Sequence, residues 1–141
     1  MTAPAHTAFP AEADVHLVEL VRPADANTHG TLFAPNGLAL AGRTAYLAAR
    51  LYCTQPVVMA AATRLDFVAP VPVGALLHLQ AAVTRRGRSS ITVRVEGWLD
   101  GCGTRALRGE FEMVAVDAHG RPTPVTPRPS RDEPIRYFHQ G

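Results

Sequence analysis

The sequence predicts an α+β fold in which one long helix is wrapped by an antiparallel sheet. Two observations carry this: one uninterrupted stretch of helical length at 36–52, and segments after Pro56 whose apolar residues recur at every second position. A third is the punctuation of those segments by RRGRS (85–89), DGCG (100–103) and DAHG (117–120), which read as two hairpin turns and a strand stop. A chain of 141 residues fits one domain with a core of its own.

Each element follows from its own pattern. DVHLVELVR (14–22) alternates as a strand, with Val15, Leu17 and Glu19 on one face and His16, Val18 and Leu20 on the other. A polar loop, PADANTHG (23–30), follows. In NGLALAGRTAYLAARLY (36–52) Leu38, Ala41, Ala45, Ala48, Ala49 and Tyr52 recur at three- and four-residue spacing, and only Arg43, Thr44 and Arg50 interrupt the apolar surface. Such a helix is predicted to be buried nearly all round. Residues 57–67 read as a strand, 70–74 as a turn and 75–84 as a strand with Leu77, Leu79, Ala81 and Val83 on one face. Ile91, Val93 and Val95 alternate with Thr92, Arg94 and Glu96. Leu107, Phe111, Met113 and Ala115 alternate with Arg108, Glu110, Glu112 and Val114. No internal repeat occurs. Residues 1–13 are expected to be a loose segment, 14–120 the single domain, and 121–141 an extended tail, because five prolines fall within 121–134.

Composition excludes several functions. No apolar run approaches the length of a membrane span, and the start lacks a basic stretch followed by an apolar core, so a cytoplasmic protein is expected. Cys53 and Cys102 are too few for a disulfide framework, and they suit a reducing compartment. Net charge is only +2, too small for a general nucleic-acid binder. His6, His16, His78, His119 and His139 are scattered without HExxH-like spacing, so no metal site is expected. Neither GxSxG nor a P-loop is present.

Four stretches carry a resemblance: DANTHGTLF (25–33), VVMAAATRLDFVAPVPVG (57–74), GRSSITVRVE (87–96) and FEMVAVDAHGRPTPV (111–125). In order and spacing, from about residue 15 to 125, the chain resembles the hotdog-fold acyl-CoA thioesterases of the cytosolic acyl-CoA hydrolase type. The resemblance implies a sheet curled around the helix and two subunits joining their sheets edge to edge. It also implies assembly to a tetramer or hexamer and an active site between subunits. Joining the sheets removes an exposed edge strand. The implied activity converts acyl-CoA and water to free acid and CoA, with no cofactor beyond the coenzyme A of the substrate and no membrane or nucleic-acid partner.

Thioester hydrolysis needs a donor at the carbonyl, a held water and a base. The helix start offers free N–H groups and the positive end of the macrodipole. The family's Phe-Gly-Gly turn is here Phe33-Ala34-Pro35. Because Pro35 lacks an N–H, Asn36 and Gly37 are the expected carbonyl-polarising donors. Asn27 matches the family asparagine that positions water or thioester; an Asx-turn residue in a surface loop fits it equally.

The family's helix carboxylate falls on Gly42, and no carboxylate stands between Asp25 and Asp66. His29 and Asp25 are therefore the candidate substitutes in the catalytic role, against a solvated histidine and a turn-capping aspartate. Arg43 is expected to pair with Asp25 or Asp66, or to meet an anionic acyl group, and Asp66 itself reads as structural. Thr63 and Ala75 stand where the family frequently has acidic residues. Arg88, Ser89 and Ser90, beside Arg85 and Arg86, are expected to contact CoA phosphates, with a solvated charged turn as the alternative. Cys53 reads as a packing residue.

Two functions remain at this level: an acyl-CoA thioester hydrolase with altered catalytic groups, and a non-catalytic acyl-CoA or acyl-carrier binding hotdog protein. A hotdog dehydratase ranks last, because residues 36–52 hold neither histidine nor carboxylate.

Overall fold

The computed structural model describes residues 15–129 and the backbone of 135–139. The expected loose segment 1–13 lies outside the described residues. The elements are β1 (Val15–Leu20), one turn of 3-10 helix (Pro23–Asp25), α1 (Ala34–Tyr52), β2 (Val57–Phe67), β3 (Leu76–Arg86), β4 (Ser90–Leu99), β5 (Arg105–Ala115) and β6 (Ile135–His139). One sheet runs in the order β2-β5-β4-β3-β1-β6. From β2 to β1 every neighbouring pair is antiparallel. This is the helix-and-sheet arrangement expected above.

β6 is an addition. The tail reading assigned no strand beyond residue 120, yet Ile135–His139 pairs with β1 in parallel, from Val15↔Ile135 to Glu19↔His139. Parallel pairing needs a long crossover, which local periodicity does not reveal. β6 covers β1, and the edges among the described strands are β2 at one end of the sheet and β6 at the other.

The registers explain the core. Val15, Leu79, Val95 and Phe111 lie on the sheet face that meets the helix, and all are buried. Against them α1 sets Ala41, Ala45, Ala48 and Ala49, whose short side chains let helix and sheet approach closely. Burying one Phe or Leu in such a core contributes roughly 1.5–3 kcal/mol. Thr44, expected to interrupt the apolar surface, is also buried, and its Oγ1 donates to the Leu40 carbonyl at 2.7 Å. The all-round burial expected of α1 is not found: Leu38 is 43% and Tyr46 40% exposed. One sheet covers one side of a helix and leaves the other to water.

Two helix glycines have packing reasons. A Cβ placed on Gly37 would lie 2.6 Å from the Phe67 ring, so the glycine lets that ring sit against the first turns of α1, and any larger residue would make it shift. A Cβ on Gly42 would lie 3.1 Å from Met59 Cε.

Candidate active site

The loop from β1 to α1 folds back on itself. Asn27 N donates to the Thr31 carbonyl at 2.8 Å, and Gly30 turns the chain with φ 76°. Asn27 Oδ1 accepts from the N–H groups of His29 (2.9 Å) and Thr31 (3.1 Å). The Asx-turn role is therefore filled. One hydrogen of the Asn27 amide goes to Thr31 Oγ1 at 2.9 Å. An amide carries two, so a second donor remains. Asn27, Ala34, Phe67 and Val68 line a groove of about 240 Å3 at the start of α1.

The carbonyl donors expected at Asn36 and Gly37 are corrected. The helix begins two residues earlier, at Ala34, with Pro35 second. Both the Asn36 and Gly37 N–H groups donate to the Phe33 carbonyl, at 2.9 and 3.1 Å. Starting the helix earlier moves the unbonded positions earlier too. Pro35 has no donor, and among the described residues the Ala34 N–H meets no backbone acceptor. Ala34 is the residue that sequence reasoning missed. The signal was Pro35, which marks the first helical turn without saying at which of its positions it sits.

Asp25 and His29, the candidate substitutes in the catalytic role, make no bond with each other. Asp25 faces Arg22, accepting from its backbone N at 3.0 Å and its Nε at 3.2 Å. These bonds hold the Asp25 carboxyl below the usual carboxylate range, the backbone bond contributing most. A carboxylate so held is a weaker proton acceptor. The His29 side chain is exposed and has no ion-pair partner among the described residues.

Neither expected ion pair of Arg43 forms, because Asp25 is taken by Arg22 and Asp66 by Arg64 (2.7 Å) and Arg108 (3.4 Å). Arg43 instead borders a separate groove of about 270 Å3 with Glu19, Arg22, Asp25, Asn36 and Leu40. Asp66 is structural, its carboxyl lowered first by its bond to Arg64.

At the other end of α1 lies the 87–90 turn. Gly87 N donates to the Ser90 carbonyl at 2.9 Å, and Ala115 N to the Ser89 carbonyl at 2.8 Å. Arg85, Arg86 and Arg88 are exposed, Ser89 and Ser90 half-buried. None of these three guanidiniums has an ion-pair partner among the described residues. The structure brings the turn to the C-terminal end of α1, not to the Asn27 groove. A helix of 19 residues separates those ends by about 28 Å.

Cys53 is buried, and burial pushes its thiol up, as befits a packing residue. Two histidines expected to be scattered come together. His16 Nε2 lies 2.8 Å from His78 Nδ1, and His78 Nε2 lies 2.7 Å from Asp100 Oδ1. They share the sheet face away from the helix, because β1 and β3 are neighbours although 62 residues separate the pair. Among the described residues no group of three or more His, Cys, Asp or Glu is placed to hold a metal ion. Nor is any helix among them long and apolar enough to cross a membrane.

Known proteins share this arrangement. The model of the thioesterase superfamily matches residues 29–106. An uncharacterised acyl-CoA thioester hydrolase of Zymomonas mobilis is 34% identical over 114 residues, covering 77% of this chain and 75% of the relative. A Staphylococcus aureus acyl-CoA hydrolase, solved with butyryl coenzyme A and coenzyme A, superposes with TM-score 0.74 at 28% identity, covering 89% of this chain and 72% of that one. A hexameric thioesterase of Yersinia pestis superposes with TM-score 0.76 at 29% identity, covering 84% and 99%. The Staphylococcus aureus enzyme has also been solved as three single variants. They replace by alanine an asparagine, an aspartate fifteen positions later and a threonine seventeen beyond that.

Proposed function

Because the chain belongs to the thioesterase superfamily, we propose that it hydrolyses acyl-CoA thioesters to free acid and CoA, at a site shared between two copies. One observation carries the reading: the remaining Asn27 amide hydrogen and the unbonded Ala34 N–H border one apolar-walled groove at the positive end of α1. Two such donors suit a thioester carbonyl as it gains negative charge. Phe67 and Val68 supply the acyl-facing wall.

The shared site follows from dimensions. Within one copy the Arg88 turn and the groove stand at opposite ends of α1. Along β2, Val58 lies beside the turn through Val114 and Ser90, whereas Phe67 lies beside Gly37 at the groove. Two β2 edges paired antiparallel about a two-fold axis set Val58 of one copy near Phe67 of the other. The turn of one copy then serves the groove of its partner. Val58, Met59, Phe67 and Val68 are exposed along this edge, an apolar strip suited to cover by a second copy. Hexameric assembly, as in the Yersinia pestis relative, is the further expectation.

The chemistry is altered at one point. Counted from Asn27, the intervals of the Staphylococcus aureus variants fall on Gly42 and Met59, and a Cβ on Gly42 would lie 3.1 Å from Met59 Cε. Glycine and methionine bring no base. His29, in the Asn27 loop, is the group we assign to take the proton from water. Cys53 as a free thiol and the CoA ester itself suit a cytoplasmic hydrolase without a further cofactor.

Free-thiol release from butyryl-CoA and longer acyl-CoAs tests the reading. Slow turnover, lost in Asn27→Ala and in His29→Ala, is expected. Saturable CoA-ester binding with no thiol released would overturn it.

A further inference from the structure

The stretch RPTPVTPRP (121–129) was read as a surface tail, but its hydrogen bonds make it a strap. Between 122 and 128 every residue that is not proline spends its N–H. Thr123 donates to the Ala115 carbonyl (2.9 Å), Val125 to the Arg88 carbonyl (2.8 Å), Thr126 to Gln55 Oε1 (2.9 Å) and Arg128 to the Tyr52 carbonyl (2.8 Å). Pro122, Pro124 and Pro127 occupy the positions where no donor is used, and proline holds a chain extended before it binds.

The strap thus joins three elements: the end of β5, the 87–90 turn and the C-terminal end of α1. Its anchor on the helix is doubled by side chains. Arg128 Nε donates to the Cys53 carbonyl and Gln55 Nε2 to Thr126 Oγ1, both at 2.8 Å. Val125 also packs on the core.

We infer that the strap is a positioning element for the nucleotide end of the substrate: anchored at Gln55 and Arg128, it holds the Arg88 carbonyl through Val125 and so fixes the 87–90 turn. The inference rests on the reading of Arg88, Ser89 and Ser90 as the CoA contact. Ala115 pins the Ser89 carbonyl from one side, and Val125 pins the neighbouring Arg88 carbonyl from the other. Without the strap the turn keeps only the β5 bond and the Gly87–Ser90 closure, and its arginine loses a fixed direction. Ordering a loose turn on binding weakens affinity without touching the reacting carbon.

Val125→Pro removes the one N–H while keeping an extended chain, and Gln55→Ala removes both side-chain bonds to Thr126. Each is compared with Arg88→Ala by calorimetry with CoA and by kinetics on an acyl-CoA and on an acyl-N-acetylcysteamine thioester, which has no nucleotide. In the two strap variants Kd for CoA and KM for acyl-CoA are expected to rise about three- to tenfold, the range of one hydrogen bond. Acyl-CoA kcat, and kcat/KM for the nucleotide-free thioester, stay unchanged. If both substrates lose rate together, or if CoA affinity holds in a folded Gln55→Ala protein, the inference fails. If Arg88→Ala also leaves CoA affinity unchanged, it is the CoA reading of the turn that fails. Should Val125→Pro not fold, Gln55→Ala decides alone.

Discussion

The two ends of α1 are built differently. At the C-terminal end the arginine turn, the strap and the helix terminus are tied by backbone bonds, and the exposed guanidiniums stand ready for an anion. At the N-terminal end Asn27 and Thr31 hold the loop in an Asx turn, Pro35 removes a donor, and Gly42, with Met59 beside it, brings no carboxylate to the helix. On the proposed reading, one end would hold the coenzyme and the other would act on its thioester.

The largest expected effect comes from restoring the altered end. Gly42→Asp with Met59→Thr should raise kcat toward acyl-CoA, up to the roughly 10²- to 10⁴-fold that a positioned base contributes. Gly42→Asp alone should gain less, because its Cβ meets Met59 Cε at 3.1 Å and the thioether must move. A folded double variant with no gain, read by thiol release, would place the defect in the Ala34–Pro35 turn instead. CoA affinity should not change in either variant.

Next is the retained end. Arg88→Ala should weaken CoA binding by about 1.5–3 kcal/mol, the worth of a charge-assisted hydrogen bond. Calorimetry at low salt checks it, and kcat on a nucleotide-free thioester should stay the same. An unchanged affinity would return the turn to a solvated role and dissolve the contrast between the ends.

A stability test follows. Gly37→Ala forces a Cβ to within 2.6 Å of the Phe67 ring, and overpacking of this kind destabilises by about 1–3 kcal/mol. Urea unfolding measures the loss. The smallest effect is a pH one. Asp25 has a folded pKa lowered by its bonds to Arg22, so it contributes stability above its unfolded value. That contribution disappears as pH falls from about 4 through the lowered folded value. Asp25→Asn should lower stability near neutrality, where the contribution is fully present, and leave it unchanged below the acid window, so that the pH dependence flattens. Thermal melts between about pH 2.5 and 7 would show the difference.

Part of the site was legible because it is local. Asn27, Gly30 and Thr31 make an Asx turn within five residues, and such a turn is written in residue type. The absence of a carboxylate from α1 was equally plain. Other parts were not legible. Asn36 and Gly37 carry N–H groups in any sequence, and only the helix start decides whether those are free. Nothing in Asp25 or His29 indicates that one turns to Arg22 while the other stays in solvent. Met59 read as one more strand residue until β2 set it against Gly42.

The α+β class, the faces of β1 and β3 to β5, the bounds 57–67 of β2 and the break at 117–120 were determined by sequence alone. Periods of 2 and 3.6 and the backbone demands of glycine, proline and aspartate act within a few residues of one another. Tertiary structure decided which groups meet: Gly42 with Met59, His16 with His78, Val125 with Arg88, and β6 with β1. Those partners lie 17 to more than 100 residues apart, and a hydrogen bond or packing contact between them exists only once the sheet has fixed direction and distance for both.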